Sequence, residues 1–131
     1  MTHLTDFGGL VAFFGASAGD WYWLLDADTR IGVKDQHPWI LYQDFDPGRY
    51  TFAHGCLRTS TPTNVGPTKP GVFHLAHSHG DGCRLDRSGQ ILPRVAKQLP
   101  SDWLMRGSYN CSEPDPQVLK DVQRELARRS R

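Results

Sequence analysis

The segment GDWYWLLD (residues 19–26) decides the fold of this chain. Its centre is an unbroken run of tryptophan, tyrosine and leucine after a Gly-Asp pair, and aromatic-rich runs bounded by glycine are typical of β-strands. Alternate side chains of a strand point to opposite faces. We therefore predict that Trp21 and Trp23 share an interior face, and that Tyr22 points outward.

Further strand-like segments follow at short intervals. They are HPWILYQ (37–43), YTFAHGCLRTST (50–61), VFHLAH (72–77) and CRLDRSGQILPRVAKQLP (83–100). The last of these predicts a hairpin with its turn at Arg87-Ser88-Gly89, and the Pro-Gly pair in FDPGR predicts a turn before the third strand. Short consecutive strands of this kind are typical of a small, strongly bent barrel.

Both ends of the chain are predicted to be helical. Residues 4–17 carry apolar residues at helical spacing, with Thr5 or Asp6 as the cap: Leu4, Phe7, Leu10, Val11 and Phe14. The C-terminal segment CSEPDPQVLKDVQRELARR predicts a helix capped by Ser112 or Asp115, with Val118, Leu119, Val122 and Leu126 on one face. The expected organisation is a single domain, 1–131: a helical extension at 1–18, a barrel at 19–111 and a helix at 112–131.

Composition excludes several classes of protein. The chain has 131 residues and a formal net charge of +1, so bulk positive charge does not hold it to nucleic acid. It has three cysteines, an odd number without CxxC spacing, and this argues against a disulfide framework and for a reducing compartment. No segment has the form of a signal peptide or a membrane span. We therefore expect a soluble cytoplasmic protein with no membrane partner.

The order of these motifs resembles the MazF/PemK/Kid toxins of type II toxin–antitoxin systems. The resemblance rests on GDWYWLLD (19–26), HPWILYQ (37–43), LRTST (57–61), GVFHL (71–75) and the terminal helix, and it covers roughly residues 19–127. It implies a mainly β, SH3-like bent barrel with helical additions. It further implies a homodimer that cleaves single-stranded RNA without a metal or other cofactor, by attack of the 2′-hydroxyl. A cognate antitoxin protein would neutralise this activity.

The family's site residues carry over in part. Its Arg-Pro pair falls on His37 and Pro38, its Thr-Ser pair falls on Thr59 and Ser60 after Arg58, and its Arg-x-Asp pair falls on His74 and Ala76. Histidine can supply the acid–base chemistry near neutral pH, and an arginine and hydroxyls can stabilise phosphate oxygens. The predicted catalytic residues are His37, Arg58, Thr59, Ser60 and His74. The predicted RNA-binding residues are Tyr22, Lys34, Thr61 and His77.

The stretch HLAHSHGDGC (74–83) concentrates three histidines and one cysteine in ten residues. Its spacing matches no standard zinc finger, and His74 and His77 would point to opposite faces of a strand, whereas His77 and His79 could share one. Three interpretations stay open: a polar loop without chemistry, an RNA-facing loop, and a metal site. Cys56 and Cys83 are predicted to be small buried thiols, although His54 shares a strand face with Cys56 and leaves a Cys-His pair open.

The sequence therefore leaves three functions open. The leading one is a toxin-like endoribonuclease. The second is a non-catalytic SH3-like interaction module that has lost the cutting residues, since the Asp expected at position 76 is an alanine. The third is a metal-dependent hydrolase built on the loop of residues 74–83.

Overall fold

The computed structural model describes residues 3–7, 10–33, 35–60, 71–77 and 82–130, with side chains from residue 15 onward. Eight strands and three helices lie in these segments: β1 (His3–Phe7), β2 (Leu10–Gly15), β3 (Asp20–Leu25), α1 (Asp26–Thr29), β4 (Gln36–Leu41), β5 (Phe52–Thr59), β6 (Val72–His74), β7 (Gly89–Pro100), α2 (Ser101–Arg106), β8 (Ser108–Ser112) and α3 (Pro116–Arg129).

Six of the strands form one curled antiparallel sheet, a half-barrel, in the order β6-β7-β5-β4-β3-β8. The mainly β, bent-barrel architecture predicted from the sequence is thereby confirmed. Every adjacent pair in the sheet is antiparallel, and β3 pairs with β4 on one side and with β8 on the other. As a result, β3, the first strand of this sheet in chain order, pairs with β8, the last strand before the terminal helix α3.

The predicted N-terminal helix is wrong. Residues 3–7 and 10–15 form the antiparallel pair β1–β2, in which Phe7 lies opposite Leu10. The apolar spacing of this segment fits a helix, but two glycines, at positions 8 and 9, interrupt it. Glycine is unfavourable inside a helix, whereas a Gly-Gly pair between apolar runs is typical of a two-residue hairpin connection.

The predicted hairpin between residues 83 and 100 is also wrong. The segment before Gly89 makes only an isolated bridge between Leu85 and His77, and residues 89–100 form the single long strand β7. The register of β7 against β5 shifts, because Cys56 lies opposite Ala96 while Leu57 lies opposite Leu92. The extra residues on β7 include Pro93, which lacks the N–H that a regular ladder requires. Such a bulge bends the strand and helps to curl the sheet.

Strand β3 is buried on both of its faces, which corrects the prediction for Tyr22. Tyr22 and Leu24 are fully buried in one apolar cluster with Leu104 of α2, whereas Trp21 is fully buried in a second cluster with Val118 and Val122 of α3. A continuous apolar run, rather than an alternating one, is the pattern of a strand covered on both sides. Tyr22 is therefore a core residue that does not point outward.

A disulfide joins Cys83 to Cys111, which overturns the prediction of a free thiol at Cys83 and the argument against disulfide bonding. It links the segment after residue 82 to β8, and the odd cysteine count is explained by one buried free thiol at Cys56. The terminal helix agrees with its prediction: the Asp115 carboxylate accepts a hydrogen bond from the Gln117 backbone N–H at 2.9 Å, and Val118 and Val122 are buried. Within the described residues, no helix has the length and apolar character needed to cross a membrane.

Candidate active site

A cavity of about 150 Å³ opens where the ends of β4 and β5 meet the segment before β7. Four of the five residues predicted to be catalytic line it: His37, Arg58, Thr59 and Ser60. Antiparallel pairing explains this meeting, because β4 begins at the same edge of the sheet at which β5 ends. The rest of the cavity wall is formed by Trp23, Gln36, Pro38, Leu85, Asp86 and Arg87.

His37 is held by a carboxylate that the sequence reasoning missed. Its Nδ1 atom lies 2.6 Å from Oδ1 of Asp26, whose side chain is 5% exposed. When Nδ1–H donates to this carboxylate, the Nε2 atom is left as the proton acceptor. Gly32 has a φ of 104°, and a Cβ atom built there would lie 3.0 Å from the imidazole. The glycine therefore gives His37 and Asp26 the space in which they pair.

Arg58 is a buried cation at the wall of the cavity, with 4% of its surface exposed. Its Nε–H donates to Nδ1 of His74 at 3.2 Å, and its Nη2 donates to the backbone carbonyl of Arg87. Burial lowers the pKa of the guanidinium, while the negative charges of Asp86 and Glu113 counter part of this effect. Two fixed hydrogen bonds orient the planar group and restrict the direction in which it can meet an anion.

Gly89 makes room for the guanidinium. A Cβ atom at this position would lie 2.6 Å from the carbonyl oxygen of Thr59 and 3.0 Å from Cζ of Arg58. A side chain here would therefore push against both the backbone of β5 and the arginine. This close approach explains why a glycine begins β7 beside the cavity.

His74 lies behind Arg58 and not in the cavity. It is 1% exposed, and its Nε2 atom is 2.5 Å from Oε1 of Glu113. Because Nδ1 accepts from Arg58, the imidazole proton is on Nε2 and points to the carboxylate. The predicted direct catalytic role of His74 therefore does not fit its position, and the geometry makes it a positioning residue for Arg58.

Glu113, which follows β8, collects hydrogen bonds from several directions. Oε1 accepts from the Trp21 indole at 3.0 Å, and Oε2 accepts from the Asp115 backbone N–H at 2.9 Å. Burial alone would raise the pKa of this carboxyl, but the donors His74, Asp115 and Trp21, with the attraction of His74, bring it down to about 2. Sequence reasoning missed Glu113 because nothing in CSEPDP marks its glutamate as interior.

The remaining predicted site residues are placed as follows. His77 lies beside His74 and Glu113, with its Nε2 atom 2.9 Å from Nε2 of His74 and its side chain 13% exposed. Tyr22 is buried in the core and offers no face to a base. Lys34 and Thr61 fall outside the described residues, as does His79.

A second, larger cavity of about 460 Å³ adjoins the first, and the two share Trp23 and Gln36. Its wall includes Arg84 and Tyr109, whose side chains are exposed, together with Asn110. Tyr109 also meets the ring of Tyr22 edge-on, with centroids 5.7 Å apart. An aromatic ring anchored in this way, next to an arginine, is the type of surface on which an unpaired base can stack. The acid–base groups, however, lie in the smaller cavity.

Cys56 does not supply a nucleophile. Its side chain is fully buried, and burial raises the pKa of the thiol to about 12. The thiolate is the reactive form, so this cysteine is inert at neutral pH. His54, the partner left open by the sequence, packs instead against the ring of Tyr42, with centroids 5.9 Å apart.

Comparison with known proteins identifies the fold. No protein-family model matches the sequence, and no curated protein is significantly similar to it. The structure is similar to a chain in the crystal structure of MazE-MazF (Form-II) from Deinococcus radiodurans, with a TM-score of 0.59 and 19% sequence identity. The match covers 89% of this chain and 96% of that one. The chain has a MazF-like fold.

The MazF-like fold confirms the resemblance on which the barrel was predicted. At this identity the likeness establishes architecture alone, because one fold supports many functions. The case for an activity therefore rests on the cavity itself.

Proposed function

We propose that this chain is the toxin of a toxin–antitoxin system and that it cleaves single-stranded RNA at the smaller cavity. The observation that carries the proposal is the meeting of His37, Arg58, Thr59 and Ser60 on one wall, beside a groove with aromatic and cationic side chains. The MazF-like fold supports it, since the similar chain comes from a MazE-MazF structure.

The geometry suggests a division of labour. Nε2 of His37, with its tautomer set by Asp26, takes the proton of the 2′-hydroxyl as that oxygen attacks phosphorus. The bond from phosphorus to the 5′-oxygen breaks, and water protonates the leaving oxygen. Arg58 and the hydroxyls of Thr59 and Ser60 stabilise the charge on the non-bridging oxygens. His74 holds Arg58 in place.

Recognition of RNA outside the reacting phosphate falls to the larger cavity. Tyr109 and Trp23 offer aromatic surface, and Arg84 offers a cation that can pair with a neighbouring phosphate. His77, whose side chain is 13% exposed, stays a predicted RNA contact, as do Lys34 and Thr61. Tyr22 is no longer part of this set.

The antitoxin and a second copy of the chain are the proposed protein partners. The edge strand β6 and the residue after it expose two large apolar side chains, Phe73 at 65% and Leu75 at 66%. Exposed apolar groups on a sheet edge favour contact with another chain. Induction of the gene in a host is expected to arrest growth, and co-expression of the antitoxin is expected to relieve the arrest.

The decisive experiment uses a fluorescent single-stranded RNA of mixed sequence and its fully 2′-deoxy counterpart. We expect the purified chain to cut the RNA in the presence of EDTA, to leave 2′,3′-cyclic phosphate ends, and to spare the deoxy strand. Binding without cutting would favour the interaction module. If the chain cut both the RNA and the deoxy strand, and EDTA abolished the cutting, the result would favour the metal-dependent hydrolase, in which water rather than the 2′-hydroxyl attacks.

A further inference from the structure

His74, His77 and Glu113 form a cluster, and the proposed RNA chemistry does not use the point at which their three side chains converge. Its three potential ligand atoms, two imidazole Nε2 atoms and a carboxylate oxygen, lie within 4.8 Å of one another. Oε1 of Glu113 lies 2.5 Å from Nε2 of His74 and 3.3 Å from Nε2 of His77, and the two Nε2 atoms are 2.9 Å apart. Two imidazoles and one carboxylate are a ligand set that zinc commonly takes in proteins.

With Glu113 ionised and both imidazoles neutral, each placement of the ring protons leaves one of the three contacts unfavourable in the absence of a cation. Arg58 donates to Nδ1 of His74, so the proton of that ring is on Nε2, facing both Glu113 and His77. If Nε2 of His77 also carries a proton, two N–H groups meet at 2.9 Å. If it does not, its lone pair faces the carboxylate of Glu113 at 3.2 Å. Each arrangement leaves one repulsive contact in a buried place, where it is costly.

We propose that these three side chains bind one zinc ion. A cation at the centre of the triangle replaces both repulsive arrangements with attraction. Tetrahedral zinc holds nitrogen and oxygen ligands at about 2.0–2.2 Å, which places neighbouring ligand atoms about 3.3 Å apart. The present separations have to grow by less than about 1 Å to reach that value. A solvent molecule takes the fourth position, on the side of His77.

The surroundings hold the ligands as a metal site requires. His74 ends β6, His77 is fixed by its bridge to Leu85, and the backbone N–H of Glu113 donates to the carbonyl of Gly19 at 2.8 Å. The indole of Trp21 and the backbone of Asp115 hydrogen-bond the carboxylate from outside the triangle. Hydrogen bonds of this kind orient metal ligands and strengthen binding.

Coordination carries one structural consequence, at Arg58. When Nε2 of His74 binds zinc, the remaining proton of a neutral imidazole sits on Nδ1, where the Nε–H of Arg58 now points. The guanidinium has to turn away from His74 and keep the carbonyl of Arg87 as its partner. The orientation of Arg58 by His74 used in the proposed RNA cleavage therefore belongs to the zinc-free chain. Zinc is therefore expected to shift the ¹⁵Nε signal of Arg58 in an NMR spectrum.

The test uses the full chain with its disulfide intact. A count of one free thiol per chain after denaturation, that of Cys56, verifies that Cys83 and Cys111 are bonded. The chain is stripped with EDTA, exchanged into chelator-free buffer, and titrated with zinc chloride against a chromophoric competitor. We expect one zinc per chain and a rise in melting temperature, since binding to the folded state stabilises it. Cobalt(II) in place of zinc is expected to show the visible absorption of a tetrahedral ion.

Variants decide whether these three residues are the ligands. His77→Gln and Glu113→Gln are expected to weaken zinc binding by at least about 10–100-fold, the loss that even outer contacts of a metal site can cause. His54→Gln, which removes an imidazole outside the cluster, is expected to bind as the parent does. Glutamine keeps a polar group at position 77, whose side chain is 13% exposed, and circular dichroism verifies the folding of every variant.

The proposal is overturned if the parent takes up no stoichiometric zinc, or if His77→Gln binds zinc as tightly as the parent. Neither outcome depends on RNA cleavage. A chain that binds zinc and leaves RNA intact even after the metal is removed with EDTA would refute the proposed endoribonuclease alone, and a chain that cuts RNA without binding zinc would refute the metal site alone.

Discussion

Nδ1 of His37 lies 2.6 Å from Oδ1 of Asp26, across the gap between β4 and the short helix α1. The histidine is partly open to the cavity, at 22% side-chain exposure, while the carboxylate is buried at 5%. A buried carboxylate behind an accessible imidazole is the arrangement that fixes a histidine tautomer for proton transfer.

The first prediction concerns general-base catalysis. His37→Ala is expected to lower the rate of RNA cleavage by about 10²–10⁴-fold, the usual contribution of such a base. Asp26→Asn is expected to lower it as well, because an amide no longer holds the tautomer with a free Nε2. The matched control is Asp28→Asn on the same helix, whose carboxylate pairs with Arg106 at the surface. Single-turnover cleavage of the labelled RNA measures all three, and unchanged rates in His37→Ala would remove this residue from the mechanism.

The second prediction concerns Arg58. Arg58→Lys keeps the charge but cannot donate both to His74 and to the carbonyl of Arg87, so the cation loses its orientation. Cleavage is expected to fall by at least about tenfold, which corresponds to the loss of one charge-assisted hydrogen bond of roughly 1.5–3 kcal/mol. Arg106→Lys, on the exposed helix α2, is the control. Equal activity of Arg58→Lys and the parent would show that the guanidinium geometry is not needed.

The third prediction concerns the bond between Cys83 and Cys111, which closes a loop with a sequence separation of 28. The entropy of a chain cross-linked over this length stabilises the fold by about 3–4 kcal/mol. The double variant Cys83→Ser, Cys111→Ser is expected to unfold at a correspondingly lower urea concentration. A reductant should shift the parent toward the variant and leave the variant unchanged. Coincident curves for parent and variant without reductant would contradict the disulfide.

The fourth prediction concerns the thiol of Cys56, whose pKa of about 12 in the fold exceeds its ordinary value of 9.0 because of burial. Iodoacetamide is expected to leave it unmodified in the native chain and to label it in urea. The unfolded thiol ionises first as the pH rises, so its contribution to stability is complete below pH 9 and is lost toward pH 12. The parent should therefore lose stability over this range relative to Cys56→Ala, as measured by urea unfolding. Rapid labelling of the native chain would show that the thiol is accessible.

Local sequence patterns were enough to predict strands β3, β4, β5 and β6 and the terminal helix. The Gly-Asp pair before WYWLL, the Thr-Ser pair after the third strand and Asp115 before the helix are local signals, read over a few residues each. Prediction from local patterns failed where the same pattern of apolar residues fits two different structures. Residues 4–17 have helical spacing, yet residues 3–7 and 10–15 pair as the strands β1 and β2. An apolar run such as WYWLL does not reveal that both of its faces are covered.

The sequence by itself, through its resemblance to the toxin family, pointed to four residues of the cavity wall, His37, Arg58, Thr59 and Ser60. They meet because β4 begins at the edge of the antiparallel sheet at which β5 ends. Only the tertiary structure decided which partners these residues have. Asp26 reaches His37 across a loop, Glu113 reaches His74 across 39 positions, and Cys83 finds Cys111 across 28. Contacts of this length depend on how the sheet curls, and no local spacing records that curvature. The cluster His74-His77-Glu113 is the clearest case, since its third member lies on the far side of β7, α2 and β8 in the chain.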